Sequence, residues 1–168
     1  MYPEEPVYAS RLAPPTLRIL DYLKQGEPAP SGPLNLAAYR SFEVDVPPVE
    51  LWYDADEGQI TQIVWNLATN GIRAMPDGGR LRLVGSAETS SGGVIITVQD
   101  DGIGIAPEAL DGLFQPFHGS FAKGSGLGLA IVHRIVTDYN GEIQVSSQPG
   151  SGTSVSVRLP ARRPVATT

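Results

Sequence analysis

Cysteine is absent from the 168 residues. That excludes disulfides, thiolate metal sites and cysteine nucleophiles, and it fits a reducing compartment, so a cytoplasmic location is expected. Histidine is scarce, and the two present, His118 and His133, lack the spacing of a metal pair. His133 falls on a helical pattern and reads as a surface residue, His118 as a loop residue. No run of Lys or Arg occurs, and 12 basic against 18 acidic residues leave a net charge of −6, which argues against a nucleic-acid surface. No apolar run approaches the roughly 18–20 residues that span a bilayer, and the first residues carry no signal-peptide pattern, so no membrane contact is expected from this chain. Three motifs are missing as well: the P-loop G-x-x-x-x-G-K-[ST], the dinucleotide G-x-G-x-x-G, and the nucleophile elbow G-x-S-x-G. There is no internal repeat.

What is present suits one globular domain. The apolar fraction of 41% is ordinary, and the length can bury a core. Residues 1–35 hold Pro3, Pro6, Pro14, Pro15, Pro28, Pro30 and Pro33. Among them Thr16–Gln25 can form a short helix, with Leu17, Leu20 and Leu23 on one face and Gly26 at its end. The remainder reads as a linker to another domain or as a loosely ordered tail. Residues 36–160 form the folded body, and 161–168 a tail.

Within the body, Phe42, Val44 and Val46 alternate as a strand, Pro47-Pro48 breaks it, and Val49–Tyr53 is a second. Asp54 and Glu57 stand at capping-box spacing. A long helix is expected from about Ala55 to Met75, with Ile60, Ile63, Val64, Leu67, Gly71 and Ala74 as its inward stripe. Pro76-Asp77-Gly78-Gly79 ends it. Strands Arg80–Ala87 and Val94–Gln99 follow as a hairpin, then a glycine-punctuated loop, a short helix from Pro107 to about Phe114, and an aperiodic segment Gln115–Ser125. A second long helix from about Gly126 to Tyr139 should face inward with Leu127, Ala130, Ile131, Ile135 and Val136. Strands Glu142–Ser147 and Ser154–Leu159 flank a Pro149-Gly150-Ser151-Gly152 turn. The order β-β-α-β-β-α-α-β-β predicts an α+β, two-layer sandwich: a mixed, mostly antiparallel sheet with helices on one face.

Three features can carry chemistry. Gly124-Ser125-Gly126-Leu127-Gly128 runs directly into a helix, where free N–H groups and glycine backbone make either an anion site or a tight turn. Gln62, Asn66 and Asn70 recur every four residues and form one polar stripe on the first long helix. These amides either bond loop backbones or serve as oxygen donors for a hard cation such as Mg²⁺ and its phosphates. Asp100 ends a strand before Gly102 and Gly104, where a carboxylate can accept a hydrogen bond from an exocyclic amine. Asp101 beside it reads as a turn residue.

These residues resemble a known family. Gln62-Ile-Val-Trp-Asn66-Leu-Ala-Thr-Asn70-Gly-Ile-Arg-Ala resembles the N box of the GHKL ATPases, which include sensor histidine kinases, gyrase, mismatch-repair ATPases and a heat-shock chaperone. Asp100-Asp-Gly102-Ile-Gly104-Ile resembles the first glycine box, Leu113-Phe114-Gln-Pro116-Phe117 the F box, Gly124-Ser-Gly126-Leu-Gly128-Leu-Ala the second glycine box, and Gly150-Ser-Gly152-Thr153 the terminal glycine motif. Their order and spacing are similar to the catalytic, ATP-binding domain of a bacterial sensor histidine kinase, leaning toward the nitrogen-regulation and pilus-regulation types. The resemblance implies a Bergerat fold that binds ATP and Mg²⁺. It implies that Asn70 is the metal ligand, that Asn66 contacts phosphate or a metal-bound water, and that Gln62 supports it in catalysis. Asp100 would bind the adenine amine, Gly102 and Gly104 would shape the base pocket, and Thr153 would line it. Gly124, Gly126, Leu127 and Gly128 would face the phosphates, and Gln115–Ser125 would form an ATP lid.

The chain departs from the family in three places. His118-Gly119-Ser120-Phe121 follows Pro116-Phe117 where many relatives carry Phe-Thr-Thr-Lys, so Phe121 stands in place of the lid lysine and Lys123 is the candidate substitute. Gly71 replaces the common Ala after Asn70, costing about 1 kcal/mol of helix propensity. No His followed by Glu or Asp lies on a long amphipathic helix. The phosphoacceptor is therefore expected on a separate histidine-containing dimerisation domain, in a longer kinase or another chain, with a response regulator downstream. The isolated domain is expected to be monomeric. Other readings are a stand-alone serine kinase of the anti-sigma type and a nucleotide-binding interaction module without transfer activity.

Overall fold

A computed structural model describes residues 9–11, 52–88, 90–117 and 126–161, and the structural statements concern these. The expected helix Thr16–Gln25 and strand at Phe42–Val46 lie outside them, as do His118, Phe121, Lys123 and Gly124.

Strand β1 (Ala9–Arg11) pairs antiparallel with β2 (Trp52–Asp54); β2 overlaps the expected strand Val49–Tyr53, whereas β1, in the Pro-rich arm, is a strand that periodicity did not suggest. Helix α1 (Glu57–Arg73) follows. Its cap is Asp56, whose carboxylate accepts from the Gln59 N–H at 2.9 Å, rather than Asp54. The reason is that Asp54 is held extended by its pairing to Ala9, so the first residue free to turn lies beyond it. The expected stripe of α1 is buried, and Ala68, Ile72 and Met75 extend it. Each fully buried Ile or Val of this stripe contributes about 1.5–3 kcal/mol.

Four strands form the main sheet: β3 (Leu81–Glu88), β4 (Gly93–Asp100), β5 (Glu142–Gln148) and β6 (Gly152–Leu159), in the order β3-β4-β6-β5. All pairings among the described residues are antiparallel, so the mixed component expected from the sequence is not found there. Side chains alternate between faces with a period of two. Val94, Ile96, Val98 and Asp100 form the inward row of β4, and Thr153, Val155, Val157 and Leu159 that of β6. The helices cover this one face. Helix α1 lies on β3 and β4, helix α3 (Gly128–Asp138) lies on β5 and β6, and the two helices pack against each other.

Helix α2 (Pro107–Leu110) is shorter than expected, and turns continue from Asp111 to Phe117. Gly112 after Asp111 gives little helical propensity to extend it. Helix α3 starts at Gly128 rather than Gly126, because Gly126 has φ +67°, outside the right-handed helical region. Its buried stripe is Val132, Ile135, Val136 and Tyr139, a helical repeat that leaves Leu127, Ala130 and Ile131 only half-buried. Val132 is thus the inward residue that the sequence pattern missed. Among the described residues no helix is long and apolar enough to cross a membrane.

Candidate functional site

The site is built where the inward rows of β4 and β6 run out of apolar residues. Asp100 and Thr153 are direct cross-strand partners at that end, and both are buried. The Asp100 carboxylate accepts the Gly102 N–H at 2.8 Å, and the backbone N–H of Thr153 also donates to it. Burial pushes its pKa above the ordinary carboxylate value; the two backbone donors pull the other way, and the neighbouring Asp101 charge adds to the rise. This buried acceptor is suited to a polar donor that arrives without water.

Glycines let three backbones converge on it. A Cβ at Gly102 would come within 2.5 Å of the Ala74 carbonyl oxygen, and one at Gly152 (φ +89°) within 1.9 Å of the Asp100 carbonyl oxygen. Gly71 lets α1 close on the sheet: a Cβ there would meet Leu81 Cδ1 at 2.7 Å and Asp100 Cβ at 3.4 Å. The glycine that departs from the family pattern therefore brings α1 against the carboxylate-bearing strand. The loop after Asp100 is fastened on both sides. Ile103 donates its N–H to the Ala74 carbonyl at 2.9 Å, and Gly150 donates to the Ile103 carbonyl at 2.8 Å.

The amide stripe of α1 lies beside this pocket and shades from exposed to enclosed. Gln62 is exposed, while Asn66 and Asn70 are half-buried. Asn66 Nδ2 is buried and has no hydrogen-bond partner, a costly state for an amide. Asn66 Oδ1 is 3.4 Å from where a Cβ of Gly128 would stand, so the stripe abuts the first turn of α3. That turn begins at Leu127 with no side-chain cap and no acidic residue, leaving its N–H groups and the positive end of the helix dipole for an anion. The Phe117 N–H donates to the Gly126 carbonyl at 3.1 Å, clipping together the residues on either side of the 118–125 segment. Phe117 is 78% exposed, with φ +65°.

Of the residues singled out in the sequence, Asn66, Asn70, Asp100, Gly102, Gly104, Gly126, Leu127, Gly128 and Thr153 lie along this one end of the helical layer. Gln62 stands one turn before Asn66, and Lys123 and Gly124 fall outside the described residues. Gly104 has φ +72°, and a Cβ there would strike the Gln148 carbonyl oxygen at 2.1 Å, so it faces the β5–β6 turn. Ser147, which motif reading passed over, accepts the Ile105 N–H at 2.8 Å. Its signal in the sequence was a polar residue in the inward row of β5, after Ile143 and Val145.

The donor set suits a nucleotide triphosphate with a hard cation: an orphaned buried amide, an uncapped helix start, and glycine walls around a buried carboxylate. Comparison with known proteins agrees. Residues 55–163 match the family described as histidine kinase-, DNA gyrase B- and HSP90-like ATPase. The sensor histidine kinase ZraS of Escherichia coli (strain K12) is 43% identical over 106 residues, covering 63% of this chain and 22% of that protein. The histidine protein kinase DivJ of Caulobacter vibrioides is 40% identical over 120 residues, covering 68% of this chain and 20% of that protein. The chain thus spans about a fifth of the length of these curated relatives. Among solved structures, the mycobacterial sensor histidine kinase MprB superposes with a TM-score of 0.73 at 26% identity, covering 92% of this chain and 97% of that one. Full-length ShkA in complex with AMPPNP does so with a TM-score of 0.66 at 27% identity, covering 89% of this chain and 29% of that one.

Proposed function

The chain belongs to the family of histidine kinase-, DNA gyrase B- and HSP90-like ATPases, and we propose that it is the Mg-ATP-binding catalytic domain of a two-component sensor histidine kinase. It would donate the γ-phosphoryl group of ATP to a histidine on a dimerisation domain outside these residues, from which a response regulator would receive it. The observation that carries this reading is the orphaned Asn66 amide against the uncapped start of α3, on the same helix whose Gly71 meets the buried Asp100.

In this reading Asp100 accepts a hydrogen bond from the exocyclic amine of adenine, and Thr153 lines the same edge. Gly102 and Gly104 shape the base pocket by letting their loop pack against the Ala74 and Gln148 carbonyls, and the N–H groups that begin α3, at Leu127 and Gly128 after Gly126, receive the phosphates. Asn70 is the ligand for Mg²⁺, while Asn66 and Gln62 hold the phosphate end of the stripe in line for transfer. Mg²⁺, when bound, neutralises charge on the β- and γ-phosphates. Phosphoryl transfer needs little covalent help from the protein, so positioning is the main task of these side chains. The resemblance assigns the lid over the nucleotide to Gln115–Ser125, of which 118–125 lie outside the described residues, and Lys123 would supply the positive charge that the usual lid lysine brings.

Calorimetry of ATP with and without Mg²⁺ tests the binding half, with Asn70→Ala as control. Absence of Mg²⁺-dependent binding overturns it. Transfer from labelled ATP to a histidine-bearing domain supplied in trans tests the other half. Acid-labile phosphate on that domain is the expected product, whereas acid-stable phosphate on a partner serine would instead identify an anti-sigma-type kinase. Lys123→Ala should lower ATP affinity or turnover; unchanged values for both remove Lys123 from the lid.

A further inference from the structure

Ser147 sits where the strand after α3 meets the loop that follows Asp100. Its Oγ accepts the N–H of Ile105 at 2.8 Å, lies 3.0 Å from the Gly152 carbonyl oxygen as a donor, and lies 2.8 Å from Thr153 Oγ1. One hydroxyl thereby joins the glycine loop, the β5–β6 turn and the residue paired with Asp100. From this junction we infer that Ser147 is a positioning residue that sets the base selectivity of the pocket, acting through the Thr153 hydroxyl. The inference rests on the reading of the Asp100 pocket as the adenine site.

A hydroxyl has one hydrogen and two lone pairs. Ser147 therefore donates to Gly152 or to Thr153, never to both. When it donates to Thr153, the hydrogen of Thr153 itself is released toward a ligand acceptor. When it donates to Gly152, Thr153 gives its hydrogen to Ser147 and presents only lone pairs. Adenine carries an amine donor beside a ring-nitrogen acceptor. In the structure Ser147 donates to Gly152, so Thr153 gives its hydrogen to Ser147 and offers only lone pairs beside Asp100, two acceptors that match the two hydrogens of the adenine amine and oppose the 6-oxo group. A 6-oxo purine such as guanine presents the opposite pattern, an oxygen acceptor beside an N–H donor. A site whose polar groups are held in place rejects the mismatched edge, because buried groups are then left unpaired.

The test is a double-mutant cycle on the full chain, with ATP and GTP affinities measured by calorimetry in Mg²⁺. Ser147→Ala should weaken ATP by about tenfold, the size of one well-made hydrogen bond, and should lower the ATP-to-GTP affinity ratio. Ser147→Thr, which keeps the hydroxyl, should restore both. Combined with Thr153→Val, Ser147→Ala should add no further loss, since the path through Thr153 is already cut. Should Ser147→Ala not fold, Ser147→Cys keeps the volume, weakens the hydrogen bonds, and takes its place in the cycle. An unchanged ATP-to-GTP ratio, or losses that add in the double variant, overturns the inference. Failure of the unsubstituted protein to bind Mg-ATP overturns the functional reading on which it stands.

Discussion

The Asn66 amide nitrogen is buried with no partner in the protein, a cost that the proposed reading assigns to a waiting ligand. Asn66→Leu should therefore stabilise the ligand-free protein by about 1–3 kcal/mol while abolishing Mg-ATP binding, as thermal melts and calorimetry would show together. A destabilised Asn66→Leu would mean that the amide is satisfied in solution. Asp100 is the second residue of this kind. Folding raises its pKa above the unfolded value near 3.8, mainly by burial, so the native state holds the proton more tightly than the unfolded chain. The stability of the ligand-free protein should then fall as pH rises from about 4 through the raised pKa, and Asp100→Asn should flatten that limb of the profile. Nucleotide affinity should move oppositely, rising as the carboxylate forms. At Gly152 the conformation alone, φ +89°, predicts a loss of about 1–3 kcal/mol in Gly152→Ala, with the collision against the Asp100 carbonyl added to it. A melting temperature equal to that of the unsubstituted protein would contradict this.

The two long helices are fastened to each other at the end away from the Asn66–Gly128 contact. Tyr139 at the C-cap of α3 accepts the Asp56 N–H at 2.9 Å and donates to Gln59 Oε1 at 2.7 Å, joining α3 to the cap of α1. The start of α3 has no such fastening among the described side chains, since Leu127 offers no cap. One end of α3 is thus satisfied by protein, and the other is the end that the proposed reading gives to the phosphates. Asp56→Ala should cost about 1 kcal/mol of stability through the lost cap. Tyr139→Phe keeps the ring contact with Tyr53 and loses both hydroxyl bonds, so it should lower stability by a similar amount, read as a shift in denaturation midpoint. The elements themselves were largely legible. A 3.6-residue stripe from Ile60 to Ala74 and alternation in β4 and β6 reflect burial on one side, which is written in residue type. The helix limits were less so, because Asp54 and Asp56 are equally good caps locally. Only pairing of Asp54 to another strand settled between them.

Across the whole molecule, binding of Mg-ATP to the native state alone should raise stability by about 2.7 kcal/mol at a ligand concentration one hundred times Kd. The shift should vanish in Asn70→Ala, and a melting temperature indifferent to Mg-ATP would refute the linkage. The amino-acid sequence alone determined the ordered boxes and the single-faced sheet, and it singled out Asn66, Asn70, Asp100 and Thr153 as candidates, because motif spacing and hydrophobic period are local properties of the chain. It did not disclose Ser147, whose hydroxyl matters only because Ile105, 42 positions away, is brought to it across the fold. Nor did it show why Gly71 is a glycine, since Leu81 and Asp100 approach it only when α1 lies on the sheet. The antiparallel order β3-β4-β6-β5, which sets Asp100 against Thr153, was decided by tertiary structure for the same reason. Contacts between residues distant in sequence arise from packing, and no local pattern encodes them.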